Sequence, residues 1–228
     1  MVRIALANGL SVTIYSPGFL RNRLTTVDGD PAIQIDDSRA LWVVTDIHDS
    51  SIVHKGDGRF HPFRTDYVVR AIHGLQHQQL NMSVSIYLLP YPRRGGWSSA
   101  TVGTEIFLGP HVLPVDQATT SYIVAHEIGH AFHNVFLSED DESEEWEAYR
   151  HLRGIVDPLK FSASSPPAYR PKEIFAEDFR VLFGGPEAYF GGCVENPELQ
   201  NPQLIASLGM YFLDVAAKSE PHPFRRAS

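Results

Sequence analysis

Apolar and polar residues alternate along the start of the chain. Arg3-Ile-Ala-Leu-Ala7 and Leu10-Ser-Val-Thr-Ile-Tyr15 both carry the two-residue period of a strand, and Asn8-Gly9 separates them. Asn-Gly readily supplies the positive φ angles of a type I′ turn, so the pattern predicts a β-hairpin. Ala32 to Ile35 and Ala40 to Val44 flank Asp36-Asp37-Ser38-Arg39 and predict a second one. After Pro62 the period changes. Val68, Val69, Ile72 and Leu75 recur at helical spacing, with Thr65 or Asp66 as the cap. Val84 to Leu89 and Thr101 to Leu108 read as strands on either side of an Arg93-Arg94-Gly95-Gly96 loop.

From residue 116 the pattern is helical. Asp116 to Phe136 forms one long helix, and a second runs to about Leu152. Ser162 to Arg170 is a loop around Pro166-Pro167. Pro171 starts the next helix, where its missing N–H has no partner to lose, and Gly184-Gly185 ends it. A last amphipathic helix is expected from Pro202 to Ala217. Strands first and helices second predict an α+β fold. Residues 1–60 are expected to be a β-rich segment packed on the same domain as residues 61–228.

Composition and charge narrow the function. The 228 residues include 43% apolar and 20% charged side chains, enough for a sizeable core and too apolar for wholesale disorder. No apolar run reaches the ~18 residues of a membrane span. Ile4 to Ala7 is cut short by Asn8-Gly9, so no signal peptide is expected. The single cysteine, Cys193, excludes an internal disulfide and a multi-cysteine zinc site. A cytoplasmic location fits, with leaderless export left open. The net charge of −8 comes almost wholly from Glu139, Asp140, Asp141, Glu142, Glu144, Glu145 and Glu147. That run reads as a solvated loop and helix start, and nothing remaining suggests a nucleic-acid partner.

The chemistry lies in His126-Glu127-Ile128-Gly129-His130. On a helix, positions i and i+4 share one face, so two imidazoles can bind one zinc ion while Glu127 reaches a water. A shuffled chain of this composition would contain about 0.03 such motifs. Gly129 costs ~1 kcal/mol relative to alanine inside a helix, and its missing side chain would let another element approach closely. A catalytic zinc takes three protein ligands, so one more is needed. His133 lies ~10.5 Å along the helix axis from His126, too far to share the ion, and is expected at the surface or behind the ligands. His73 and His77 also stand at i and i+4, but no acid follows His73, and they read as a solvated helix face. Glu173 and Glu177 are the better source: two carboxylates at i and i+4 repel unless a cation and an imidazole N–H face them.

His126-Glu127-x-x-His130 followed by a helical Glu173-x-x-x-Glu177 resembles the gluzincin zinc metallopeptidases. The run Glu173-Ile-Phe-Ala-Glu-Asp-Phe-Arg180 is most similar to the catalytic domain family of anthrax lethal factor. The resemblance covers about residues 100 to 185. It implies a zincin-like fold with a small mixed sheet, one zinc ion, peptide-bond hydrolysis, Glu173 as third ligand and Glu177 behind the metal. Those relatives carry a tyrosine seven residues before the ligand glutamate; this chain has Pro166 there, and its nearest tyrosine is Tyr169.

The expected function is therefore that of a zinc-dependent endopeptidase acting on a peptide or protein. His126, His130 and Glu173 bind the metal, Glu127 is the general base, and Glu177 accepts from His126. Tyr169 is expected to point at the metal, at least when substrate is bound, and stabilise the oxyanion, the alternative being a tyrosine that anchors the loop. Thr101 to Leu108 is expected to be the edge strand of the cleft. The alternatives are a zinc-binding interaction module and a hydrolase of non-peptide amides.

Overall fold

The alternating N-terminal stretch folds as the antiparallel pair β1 (Val2–Ala5) and β2 (Ser11–Tyr15). The structure, a computed structural model, describes residues 1–96, 99–137, 143–189 and 194–218. The turn between β1 and β2 is not type I′. Gly9 has φ +88° but Asn8 does not have a positive φ, and Gly9 N–H donates to Leu6 C=O at 3.1 Å. That is a type I turn closed by a left-handed glycine. The type I′ geometry occurs instead at Asp28-Gly29, with φ +52° and +88°. It joins β3 (Leu24–Val27) to β4 (Asp30–Gln34), after a short helix α1 (Pro17–Arg21). β5 (Ala40–Trp42) completes this antiparallel three-stranded sheet, and β4 and β5 form the second hairpin the sequence predicts.

Helix α2 (Thr65–His73) follows, with Arg64 rather than Thr65 or Asp66 at the cap position. Next come β6 (Ser83–Leu88), β7 (Ala100–Val102) and β8 (Glu105–Leu108). The larger sheet has the order β1-β2-β6-β8-β7, with β2, β6 and β8 parallel and an antiparallel strand at each edge. Residues 1–15 thus supply two strands of the main sheet. The stretch Thr101 to Leu108, expected as one edge strand, is a hairpin. Its first arm is the edge, and its second is paired on both sides.

Period-two burial shows how this sheet is covered. Val84, Ile86 and Leu88 face one cluster with Val68, Ile72, Val124, Ile128 and Phe132; Tyr87 and Leu89 face the other with Leu20 and Ile33. Tyr15, Tyr87 and Phe107 stack across neighbouring strands with centroids 4.6 and 4.9 Å apart. Helices thus cover one face, while α1 and the smaller sheet cover the other.

The helical half contains α3 (Gln117–Phe136), α4 (Glu144–Arg153), a 3-10 turn at Pro167–Tyr169, α5 (Pro171–Phe183), α6 (Gly185–Tyr189) and α7 (Leu208–Lys218). The expected last helix from Pro202 is broken: Pro202–Leu204 is a separate 3-10 turn before α7. A buried ion pair, Arg153 Nε to Asp178 Oδ2 at 2.8 Å, joins α4 to α5, and Tyr149 Oη donates to the same oxygen at 2.8 Å. His77 is not on a solvated helix face. It lies beyond α2, buried against Phe132, Phe179 and Phe183. Cys193 and Glu139 to Glu142 lie outside the described residues. No described helix is long and apolar enough to cross a membrane.

Candidate metal centre

Asp116 caps α3 by accepting from Thr119 N–H at 2.8 Å, and the helix then runs twenty residues. His126 and His130 leave it one turn apart, with ring centroids 4.8 Å from each other. Between them Gly129 admits α5. A Cβ there would sit 2.8 Å from both Cα and O of Ala176 and 3.0 Å from Phe179 Cβ. The close approach expected from this glycine is present, and it brings the first turn of α5 to the two imidazoles.

Glu173 Oε2 lies 3.2 Å from His126 Nε2 and 3.3 Å from His130 Nε2. These separations are long for N–H···O bonds, whose mode is ~2.9–3.0 Å. They match the spacing of donors around one tetrahedral ion: bonds of ~2.0–2.1 Å place ligand atoms ~3.3 Å apart. One ligand atom from each of the three residues lies within 4.8 Å of the other two. The donor set, two imidazoles and a carboxylate, is one that suits zinc. These three residues could hold a metal ion.

The charges point the same way. Glu127, Glu173 and Glu177 lie around His126, and Arg180 is a buried cation paired with Glu177. Contacts with His126 and His130 hold the Glu173 carboxyl well below the usual carboxylate range. Burial opposes charge on His126, but Glu173 and Glu177 together outweigh it and push its pKa up to about 9. A cluster that raises the affinity of its own imidazole for a proton is one that a metal cation would satisfy.

Glu177 lies behind the cluster. Its Oε2 is 3.6 Å from His126 Nδ1, an ion-pair contact longer than a hydrogen bond. Its principal partner is Arg180, whose Nε donates to Oε2 at 2.8 Å. Burial alone would raise the Glu177 pKa, yet Arg180 and His126 hold it down. Arg180 also lies 4.1 Å from the Tyr122 ring centroid and donates to Ala188 C=O. Sequence reading passed over Arg180, although its i,i+3 spacing from Glu177 was a visible signal.

Glu127 is buried, and its Oε2 accepts a 2.6 Å hydrogen bond from Thr101 Oγ1 on β7. The sequence placed Thr101 in the expected edge strand of the cleft but gave no sign of its bond to Glu127. His133 also differs from expectation. It is not a surface residue but is buried edge-on against Trp146 and Phe175.

Tyr169 is a further correction. Its hydroxyl donates to Glu198 Oε1 at 2.9 Å, and its ring lies beside Phe161 and Lys160. It anchors the loop before α5 and is not among the residues lining the cleft. His126, Glu127, His130 and Glu173 line that cleft, which measures about 1010 Å³. Its walls are β7 at Ala100 and Thr101, the loop Gly109–Val112, and Ser51, Val53 and His54 from the long loop after β5. The wall loops are tied together: His61 and His111 exchange backbone hydrogen bonds of 2.7 and 3.0 Å. No protein-family model matches the chain, and no curated protein or solved structure matches it.

Proposed function

We propose that the chain is a zinc-dependent endopeptidase of the gluzincin type, with a zincin-like arrangement of mixed sheet and motif helix. The observation that carries this reading is the convergence of His126, His130 and Glu173, whose Oε2 lies 3.2 and 3.3 Å from the two imidazole Nε2 atoms, with Glu127 beside them in an open cleft. Bound zinc would supply Lewis acidity, polarising a carbonyl and acidifying water. Glu127 takes the proton from the attacking water onto its carboxylate and passes it to the nitrogen of the departing amine. Glu177, held by Arg180, orients the His126 ring through its Nδ1 side. The outer edge of β7 pairs with no other described strand, so an extended peptide can lie along it.

The test is digestion of a peptide library by the zinc-loaded protein, with Glu127→Gln as the control. Cleavage by the native protein and a loss of about 10²–10⁴-fold in the variant is expected, with zinc content equal in the two. Stoichiometric zinc without cleavage of any peptide would favour a binding module. Equal turnover by Glu127→Gln would remove Glu127 as the base.

A further inference from the structure

Thr101 is the one described residue that hydrogen-bonds the Glu127 carboxylate. Its Oγ1 donates to Oε2 at 2.6 Å and also lies 3.2 Å from the Glu127 carbonyl oxygen. No lysine or arginine forms a described ion pair with Glu127. The threonine sits on β7, opposite Ile106 of β8, at the open edge of the main sheet. A second polar contact ties the same hairpin to the motif helix: Asn134 Nδ2 donates to Gly103 C=O at 3.0 Å. Hairpin and helix are thus latched at two points, one of them through the carboxylate itself.

We infer that Thr101 is the positioning residue for Glu127, holding its carboxylate in register with the substrate-facing edge. The inference rests on the proposed role of Glu127 as base. The chemistry of a hydroxyl suits the task. An arginine or lysine at this place would favour the charged carboxylate and make it a poorer proton acceptor. A hydroxyl can keep donating to Oε2 whether or not the other oxygen carries a proton, so the contact does not depend on a fixed charge. β-Branching restricts Thr101 about χ1 on its strand, so the hydroxyl is held rather than searching. The bond uses one lone-pair position of Oε2 and leaves the other oxygen to take the proton. Because Thr101 belongs to the strand beside which a peptide would lie, one residue sets the base and the docking edge relative to each other.

Thr101→Val removes the donor and keeps shape and strand propensity; Thr101→Ser keeps the donor. With the zinc-loaded proteins and the best-cleaved library peptide, Thr101→Val should lower kcat about tenfold or more and change KM less than about threefold. Thr101→Ser should stay within about threefold of native, and both variants should bind zinc as the native protein does. Crystal structures supply a readout without turnover: Glu127 should hold one rotamer in the native protein and in Thr101→Ser, and spread over several in Thr101→Val. A native kcat in Thr101→Val, equal losses in both variants, or an unmoved Glu127 in Thr101→Val would overturn the inference. If the native protein cleaves no peptide, the peptidase reading fails, and the Glu127 rotamers still decide whether Thr101 positions it.

Discussion

Gly129→Ala separates the intrinsic preference of a helix from the demands of the helix beside it. The new Cβ would stand 2.8 Å from Cα and O of Ala176 and 3.0 Å from Phe179 Cβ. Unstrained carbon contacts lie at ~3.5–4.0 Å, so α5 must retreat by roughly 0.5–1 Å. Two effects then compete. Alanine in a helix interior gains ~1 kcal/mol over glycine. Overpacking a filled core costs ~1–3 kcal/mol, and two of the three obstructing atoms are backbone, so the upper part of that range applies. The net expectation is a loss of about 1–2 kcal/mol in the metal-free protein. The site should suffer more than the fold. Ala176 is less than one turn beyond Glu173, so a retreat of α5 carries the proposed third ligand away from His126 and His130. Metal–ligand distances tolerate about ±0.2 Å, less than the retreat. Zinc affinity should therefore fall about tenfold or more, roughly 1.4 kcal/mol. Urea unfolding without metal and zinc titration against a competing chelator read the two effects separately. A variant that is stabilised by about 1 kcal/mol and binds zinc normally would refute the reasoning, because the helix approach would then not depend on the missing side chain.

Within the carboxylate pair, Glu173→Ala should abolish tight zinc binding, whereas Glu177→Ala should weaken it about 10–100-fold; affinities in the reverse order would exchange the two roles. Tyr169→Phe should leave turnover within about twofold of native, since the hydroxyl binds Glu198, while a loss of tenfold or more, ~1.4 kcal/mol, would show that it reaches the substrate. His77 is buried among phenylalanines, and burial lowers its pKa to about 4. The unfolded chain therefore binds more protons between pH ~6.5 and ~4. The His77 contribution to stability is complete above about pH 6.5 and is lost as pH falls towards 4, on the order of 3 kcal/mol in all. Urea midpoints at pH 4.5 and 7.5 should diverge less in His77→Leu than in the native protein; equal divergence would show that His77 does not drive the loss.

Local rules reached far into this protein. The period of the N-terminal strands, the helical pattern from Asp116 to Phe136, Pro171 at the start of α5 and Gly184-Gly185 at its end all act within a few residues, and each element formed where they indicated. The i,i+4 spacing of His126 and His130 is likewise a property of one helix. Gly129 even announced that something would pack against that helix. Some local signals were passed over: Asp28-Gly29 carries the type I′ turn that Asn8-Gly9 was expected to form.

What only the tertiary structure decided concerns contacts between elements distant along the chain. Which oxygen meets the two imidazoles depends on how α5 crosses α3, and spacing along α5 alone left Glu173 and Glu177 equivalent. The partner of Glu127 is a threonine 26 residues away on an edge strand, with no pattern linking the two. Tyr169 turned to Glu198 because the loop before α5 packs on a later segment of the chain, beyond the reach of any local rule. His77 has the same spacing from His73 as a solvated helix face would show, yet the helix ends first and the ring enters the aromatic core. The sequence by itself determined which groups are candidates for chemistry, because residue type and helical period are local. The fold determined which of them meet, because the residue that orients a carboxylate or an imidazole is chosen by packing across the whole core.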